Sequence, residues 1–471
     1  MGMLPFYIVE MCRAGEAHMY KKIGIFIVLV WFIFIGKANA EEVTVTDGNE
    51  LQEALTKTMS ENTIITLEPG EYKGMFSISQ PVHLKGEEGA KLIGSNDGNV
   101  LTIEADDVTV EGLQIEGSGS QNAGIYVKGN RAYIQKNVIK NVFHGIYAKE
   151  SYGHRMENNL ITSFKGSNHK GYGIYFVKAP NSAATNNFIF DTQDGIYVSY
   201  SDFCEIRGNQ MVRARYGVHT MDSRTVLIAQ NKVRESVNGL MIMQSNEVSI
   251  LVNSFYLNTK IDGAGMFIFD TFDSKISSNL MQGNYKGILL ENAKRNTIEF
   301  NTFIGNHTGL ELRKASDENT IYLNNFYHNT RQIISNDKNI NTFTKDNYGN
   351  YFDDHGSLNL NNDKLVDYAY KSGDVFYNMT SEEPYLSIFY QSPAVELWNM
   401  IEQYTPMPSD SFVIDELPLV KPAPVSWNNG KIEKAFFSNP TFNVLQIITF
   451  LIVLGGSISI LLKLGRGKHE G

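Results

Sequence analysis

The chain has 471 residues, ample for a large core, and its 20% charged residues and 12 prolines exclude a disordered polymer. The formal charge of −10, with no basic run in the body, argues against a nucleic-acid partner. Two cysteines, Cys12 and Cys204, leave no room for a disulfide framework.

Lys21-Lys22 precede an apolar run from Ile23 to Ile35, and Ala38-Asn39-Ala40 supplies small residues for cleavage. Residues 1–40 therefore read as a secretory signal peptide, with Glu41 starting the exported body. The stretch before Met19 carries no pattern and reads as an extension from a mis-assigned start. Cys204, just ahead of an Ile206 strand, reads as a small buried hydrophobe.

Residues 41–340 carry the body. Asn49-Glu50-Leu51-Gln52 resembles a capping box, with Asn49 at the N-cap of a short helix through Leu55. Strands over Thr63–Leu67 and Val82–Leu84 follow. From Ile134 to Phe326 an apolar-x-x-Asn-x-apolar pattern recurs at Asn137, Asn159, Asn187, Asn209, Asn231, Asn253, Asn279, Asn301 and Asn324. The spacings are 22, 28, 22, 22, 22, 26, 22 and 23, and Leu113 stands in the asparagine position of an earlier coil. A glycine column runs between them, from Gly124 through Gly145, Gly173, Gly195, Gly217, Gly239, Gly265 and Gly287 to Gly309, each glycine opening a short alternating strand. Short strands at this period with no helical segment predict an all-β, right-handed, single-stranded parallel β-helix solenoid. The asparagines are expected to stack at turns, and the longer periods to mark outward loops near Lys165–Tyr172 and Thr259–Ala264.

The repeat fades after Asn329. Residues 341–425 read as a C-terminal cap with an amphipathic helix opened by Ser392-Pro393 and a proline-rich linker from Pro406 to Pro424. After a juxtamembrane stretch, 426–443, the apolar run 444–464 has the length of a membrane-spanning helix. Lys463, Arg466 and Lys468 place the tail, 465–471, in the cytoplasm. The expectation is a body on the extracytoplasmic face of the cell membrane, held by a single-pass C-terminal anchor.

The chemically specific stretch is Tyr216–Phe269. Strand alternation turns Val218, Thr220, Leu240, Ile242, Met266 and Ile268 inward, and His219, Met221, Met241, Met243, Phe267 and Phe269 outward. Stacking sets His219 beside Met241 and Met221 beside Met243, thioethers and an imidazole that suit Cu(I). The same surface, with Phe267 and Phe269, reads equally as an apolar docking patch. Tyr126, Tyr147, Tyr175 and Tyr197 fill the corresponding position in earlier coils, as a cross-strand aromatic ladder or a platform for sugars or a partner. Asn359, Asn361, Asp363 and Asp367 have the alternating oxygens of a calcium loop, without the glycine and terminal glutamate of an EF-hand. Polysaccharide lyases and epimerases use this fold, and Arg215, His219, Asp222 and Arg224 offer an acid, a base and cations for such work. No Asp-Pro-His-Asp segment of the alginate epimerases is present.

Beyond the repeat, Asn350-Tyr351-Phe352-Asp353, the stretch 359–370, Ser392-Pro393-Ala394-Val395-Glu396-Leu397 and Asp415-Glu416-Leu417-Pro418-Leu419-Val420-Lys421-Pro422 resemble the C-terminal signature of the NosD family. The resemblance covers roughly Val43 to Pro422. It departs at Asn359 and Lys364, where the family tends to have Asp and Gly, and in the added C-terminal span. It implies a non-catalytic assembly factor outside the membrane. Its implied partners are an ABC transporter built from the ATPase NosF and the membrane subunit NosY, the copper chaperone NosL, and nitrous oxide reductase, whose copper centre is assembled. Copper would be bound transiently. Pro393, Leu397, Trp398 and Ile401 are then expected to dock the transporter with the linker. A cell-envelope polysaccharide-binding or uronate-modifying protein is the alternative.

Overall fold

The computed structural model describes residues 41–57, 63–166, 168–335, 340–356, 358–372, 379, 383–389, 392–404 and 413–425. The signal peptide, juxtamembrane stretch, membrane-spanning run and tail expected from sequence lie outside the described residues. Among the described residues no helix is long and apolar enough to cross a membrane.

Each coil contributes three short strands, and coil stacking generates three parallel sheets of 13, 12 and 13 strands. One sheet is built from strands that end just before each asparagine, one from strands just after it, and one from strands opened by the glycines. Inward positions stack in register: Ile206, Ile228, Ile250, Ile276 and Ile298 form one buried column. Each such side chain contributes roughly 1.5–3 kcal/mol by burial. Cys204 belongs to this core, 1% exposed, and burial pushes its thiol up to about 12.

The asparagines form the expected ladder. The backbone N–H and side-chain amide of each donate to the Oδ1 of the next, as from Asn209 to Asn231 (3.0 and 3.0 Å) and Asn231 to Asn253 (2.9 and 3.0 Å). Leu113 joins through its backbone N–H alone, to Asn137 Oδ1 at 3.0 Å. A second ladder, Asn258, Asn284, Asn306 and Asn329, runs at the next corner with the same periods.

At the front, the helix is Gly48–Thr56, and its N-cap is Asp47, not Asn49. Asp47 Oδ1 accepts from the N–H of Asn49 and Glu50, while the Glu50 carboxylate reaches back to the Thr46 N–H at 2.7 Å. A carboxylate at the positive helix end displaces the amide two residues on.

At the back, the expected linker is in part a lock. Val413–Asp415 pairs antiparallel with Tyr370–Ser372, and Ala423 exchanges two backbone hydrogen bonds with the Asn325 side chain. Asp415 ends the main ladder: its Oδ2 accepts from Asn350 N (2.7 Å) and Nδ2 (2.9 Å), and its Oδ1 from Leu417 N (3.1 Å). Burial raises its carboxyl to about 6, against the opposing pull of the Asn350 donors. Between about pH 4 and pH 6 the folded chain holds a proton there that the unfolded chain has released, so stability falls as pH rises through that window. Asp415→Asn keeps an acceptor and cannot ionise, so denaturation series should show that slope flattened. Asp415→Ala should lose about 1–3 kcal/mol by stranding the Asn350 donors. A variant as stable as the parent would remove the lock from this account.

Candidate metal and partner site on the glycine-opened sheet

The inward set is as expected: Val218, Thr220, Leu240, Ile242, Met266 and Ile268 are all fully buried. The outward set falls in register, His219 opposite Met241, Met221 opposite Met243, and these opposite Phe267 and Phe269. Neighbouring strands lie about 4.8 Å apart. The face is more enclosed than an open patch: His219 is 6% and Met241 5% exposed, while Met221, Met243, Phe267 and Phe269 are half-buried. The two long coils explain where the site sits. Their extra residues lead into the strands at Gly173 and Gly265, four coil steps apart, about 19 Å. The His/Met coils lie between these loops.

His219 is held on every side but one. Its ring stacks on Tyr197 at 4.2 Å and meets Tyr216 edge-on at 5.2 Å. Its Nδ1 lies 3.0 Å from Oδ2 of Asp194, a fully buried carboxylate that also receives Nε and Nη2 of Arg215, each at 2.8 Å. Its Nε2 is buried without a hydrogen-bond partner. The thioethers are placed by weak donors, Met221 by the Tyr197 hydroxyl (3.4 Å) and Met241 by the Asn238 amide (3.9 Å). A sulfur accepting one weak contact keeps a lone pair for a soft cation.

These donors fit copper in its reduced state, since thioether and imidazole suit Cu(I) and hard ions ask for oxygen. Among the described residues no group of three or more His, Cys, Asp or Glu is arranged to hold a metal.

The tyrosine column is a true ladder, and it runs into the histidine. Tyr147, Tyr175 and Tyr197 stack at 4.8 and 4.9 Å, and His219 continues the stack. Burial, first of several causes, raises all three phenols, so they stay protonated. On the other side the face turns ionic, with buried Lys286 3.3 Å from buried Glu311.

Of the remaining sequence candidates, the two phenylalanines share this face and the others are placed elsewhere. Phe267 and Phe269 meet edge-on at 6.3 Å. Pro393 opens the helix Pro393–Tyr404, on which Leu397, Trp398 and Ile401 are exposed. Tyr385, Ile388 and Phe389 of the short helix Pro384–Phe389 are exposed as well. The expected calcium loop closes on itself. Asn359 donates to the Asp363 carbonyl, Asn361 donates to Asp363 Oδ2, and Asp363 and Asp367 cap the N–H groups of Leu365 and Leu360. Oxygens of Asn361, Asp363 and Asp367 are spent on turn hydrogen bonds, while Asn359 Oδ1 is buried without a partner. One open amide oxygen falls far short of the roughly six to eight that calcium takes, so the loop reads as a turn. Of the four residues for acid–base work, only Arg215 and His219 meet, through Asp194. Arg224 faces Glu247 at 3.5 Å, and Asp222 accepts from Tyr200.

Residues 162–357 match the family described as periplasmic copper-binding protein (NosD). A protein of Stutzerimonas stutzeri named "Probable ABC transporter binding protein NosD" is 28% identical over 385 residues, 75% of this chain and 86% of that protein. Its namesake from Pseudomonas aeruginosa is 26% identical over 378 residues, 76% and 88% of the two chains. Among solved structures, the A-module of the Azotobacter vinelandii mannuronan C-5 epimerase AlgE6 superposes with TM-score 0.53 at 13% identity, over 64% of this chain and 97% of its own. The Streptococcus pneumoniae surface adhesin PfbA gives 0.51 at 14% identity, over 64% and 93%. At these identities an epimerase and an adhesin show the fold alone.

Proposed function

We propose, for a chain that is NosD-like and carries a NosD-family domain over residues 162–357, a non-catalytic role as the extracytoplasmic accessory of an ABC transporter. In this reading it holds Cu(I) briefly as cargo on the way to the copper centre of nitrous oxide reductase. His219, Met221, Met241 and Met243 are the ligands. The observation that carries the reading is the buried, unpartnered His219 Nε2 on the same strand face as the methionines. The names of the relatives support a transporter association, and the family description supports copper. The transporter would be a NosF–NosY pair and the copper donor a NosL chaperone. The exposed helix face with Leu397, Trp398 and Ile401 is the proposed transporter contact, and Phe267 and Phe269 the rim presented to a copper-carrying partner. The membrane anchor belongs to this proposal as well.

The test is a Cu(I) titration of the exported body against a competing chelator. Changing Met221, Met241 and Met243 together to leucine should weaken binding at least tenfold, a loss of about 1.4 kcal/mol. Leucine keeps the volume, so folding is spared. Equal affinity in the two proteins would sink the metal site.

A further inference from the structure

We propose that Asp194, clamped by Arg215, is a positioning residue that fixes His219 as the Nδ1–H tautomer and presents Nε2 as the lone-pair donor to a soft cation. This rests on the copper reading above, and it adds two residues that do not themselves touch the ion.

Asp194 is fully buried, and both its oxygens are engaged by the guanidinium of Arg215 at 2.8 Å. A carboxylate in a bidentate pair with arginine is ionised, and an ionised carboxylate only accepts. The His219 Nδ1 at 3.0 Å from Oδ2 must therefore carry the hydrogen. The ring cannot turn to exchange its nitrogens, because Tyr197 lies flat on one side, with an interplanar angle of 5°, and Tyr216 stands edge-on at 81°. Arg215 is itself laid over the Tyr216 ring, 4.4 Å from its centroid. Nε2 is then the one ring atom left to act. It is buried, it meets no donor or acceptor, and its in-register neighbour is Met241. A carboxylate on the far nitrogen of a metal-binding imidazole orients the ring and raises its basicity toward the metal. Arg215 balances the buried Asp194 charge, so the local charge added on loading is that of the cation alone.

Ring nitrogen spectra of the full chain, metal-free and labelled at histidine, read the tautomer without any copper. The expected spectrum gives His219 a protonated Nδ1 and a bare Nε2. Asp194→Asn, and separately the milder Arg215→Lys, should mix the tautomers and loosen Cu(I) by about 10–100-fold in chelator competition. A wild-type spectrum with the hydrogen on Nε2 overturns the assignment. So does an Asp194→Asn protein that binds Cu(I) like the parent when His219→Ala does not. If His219→Ala also binds like the parent, the copper reading itself fails and carries this one with it.

Discussion

Asn231→Ala is expected to lower the unfolding free energy by roughly 3–5 kcal/mol, at the extreme of single-residue effects. The amide at this position joins three coils. Its Oδ1 accepts from the backbone and side chain of Asn209, its Nδ2 donates to the Ile206 carbonyl at 2.8 Å, and the same Nδ2 donates to Asn253. Alanine strands all of these in a site with almost no solvent access, 1% exposed. The coil geometry offers no replacement, because the neighbouring asparagines are already committed to their own partners. A solenoid is held by nearest-neighbour interfaces, so a break in its middle should also broaden the denaturation transition. Asn361→Ala, at an exposed turn, is the comparison and should change stability by less than about 0.5 kcal/mol. Equal denaturation midpoints for the two variants would show that the ladder is decoration on a core that does not need it.

That ladder was legible in the sequence because its spacing repeats along the chain with one residue type. The second ladder had the same signal: Asn258, Asn284, Asn306 and Asn329 are separated by 26, 22 and 23 residues, in step with the first. Its position five residues after the main asparagines hid it among turn residues. The inward and outward sets of Tyr216–Phe269 followed from alternation alone, and the structure keeps every one of them on its expected side. What alternation does not show is cover. His219 and Met241 face outward and are nonetheless buried: His219 lies against the Tyr197 ring and the Asp194 carboxylate of the preceding coil and the Tyr216 ring of its own strand, and Met241 lies in register between His219 and Phe267.

Asp194 is the site residue that sequence reasoning missed. An Asp-Gly pair reads as a turn, and its partners Arg215 and His219 lie 21 and 25 residues away. The available signal was the column just before each glycine, in which Asp194 and Lys286 are charged residues in a row that also holds His144, Tyr172, Tyr216, Asn238, Ala264 and Thr308. A charge fixed in a stacking column must be paired. The C-terminal lock was out of reach for a different reason. Asn350 continues the ladder 26 residues after Asn324, but Asp415 lies 65 residues further on and outside the repeat, so no period connects the two. A proline-rich stretch reads as linker until its acceptors are seen to end a ladder.

The glycine column carries the second large effect, and it links the fold to the site. At Gly217 an added Cβ would lie 2.3 Å from Val233 Cγ1 and 2.6 Å from the carbonyl oxygen of Gly239. The first contact is a side chain that can turn; the second is the backbone of the next coil, which cannot move without its own neighbours. Gly217→Ala should therefore cost about 3 kcal/mol, the upper end for an overpacked core. Adding Val233→Ala should recover only part of that loss, because the carbonyl contact remains. The strand that must shift carries His219 two residues later, paired with Met241 on the strand that supplies the offending carbonyl. Cu(I) affinity should fall in the Gly217→Ala protein although no ligand is changed, and the His219–Asp194 tautomer signal should broaden with it. Gly70→Ala, whose nearest contact would be 3.8 Å away, is expected to leave both stability and binding unaltered. Should Gly217→Ala unfold like the parent while losing copper, the glycine column would be serving the site and not the stack. Should it lose stability but bind copper normally, the His219 strand would be less tightly coupled to its neighbours than the register implies.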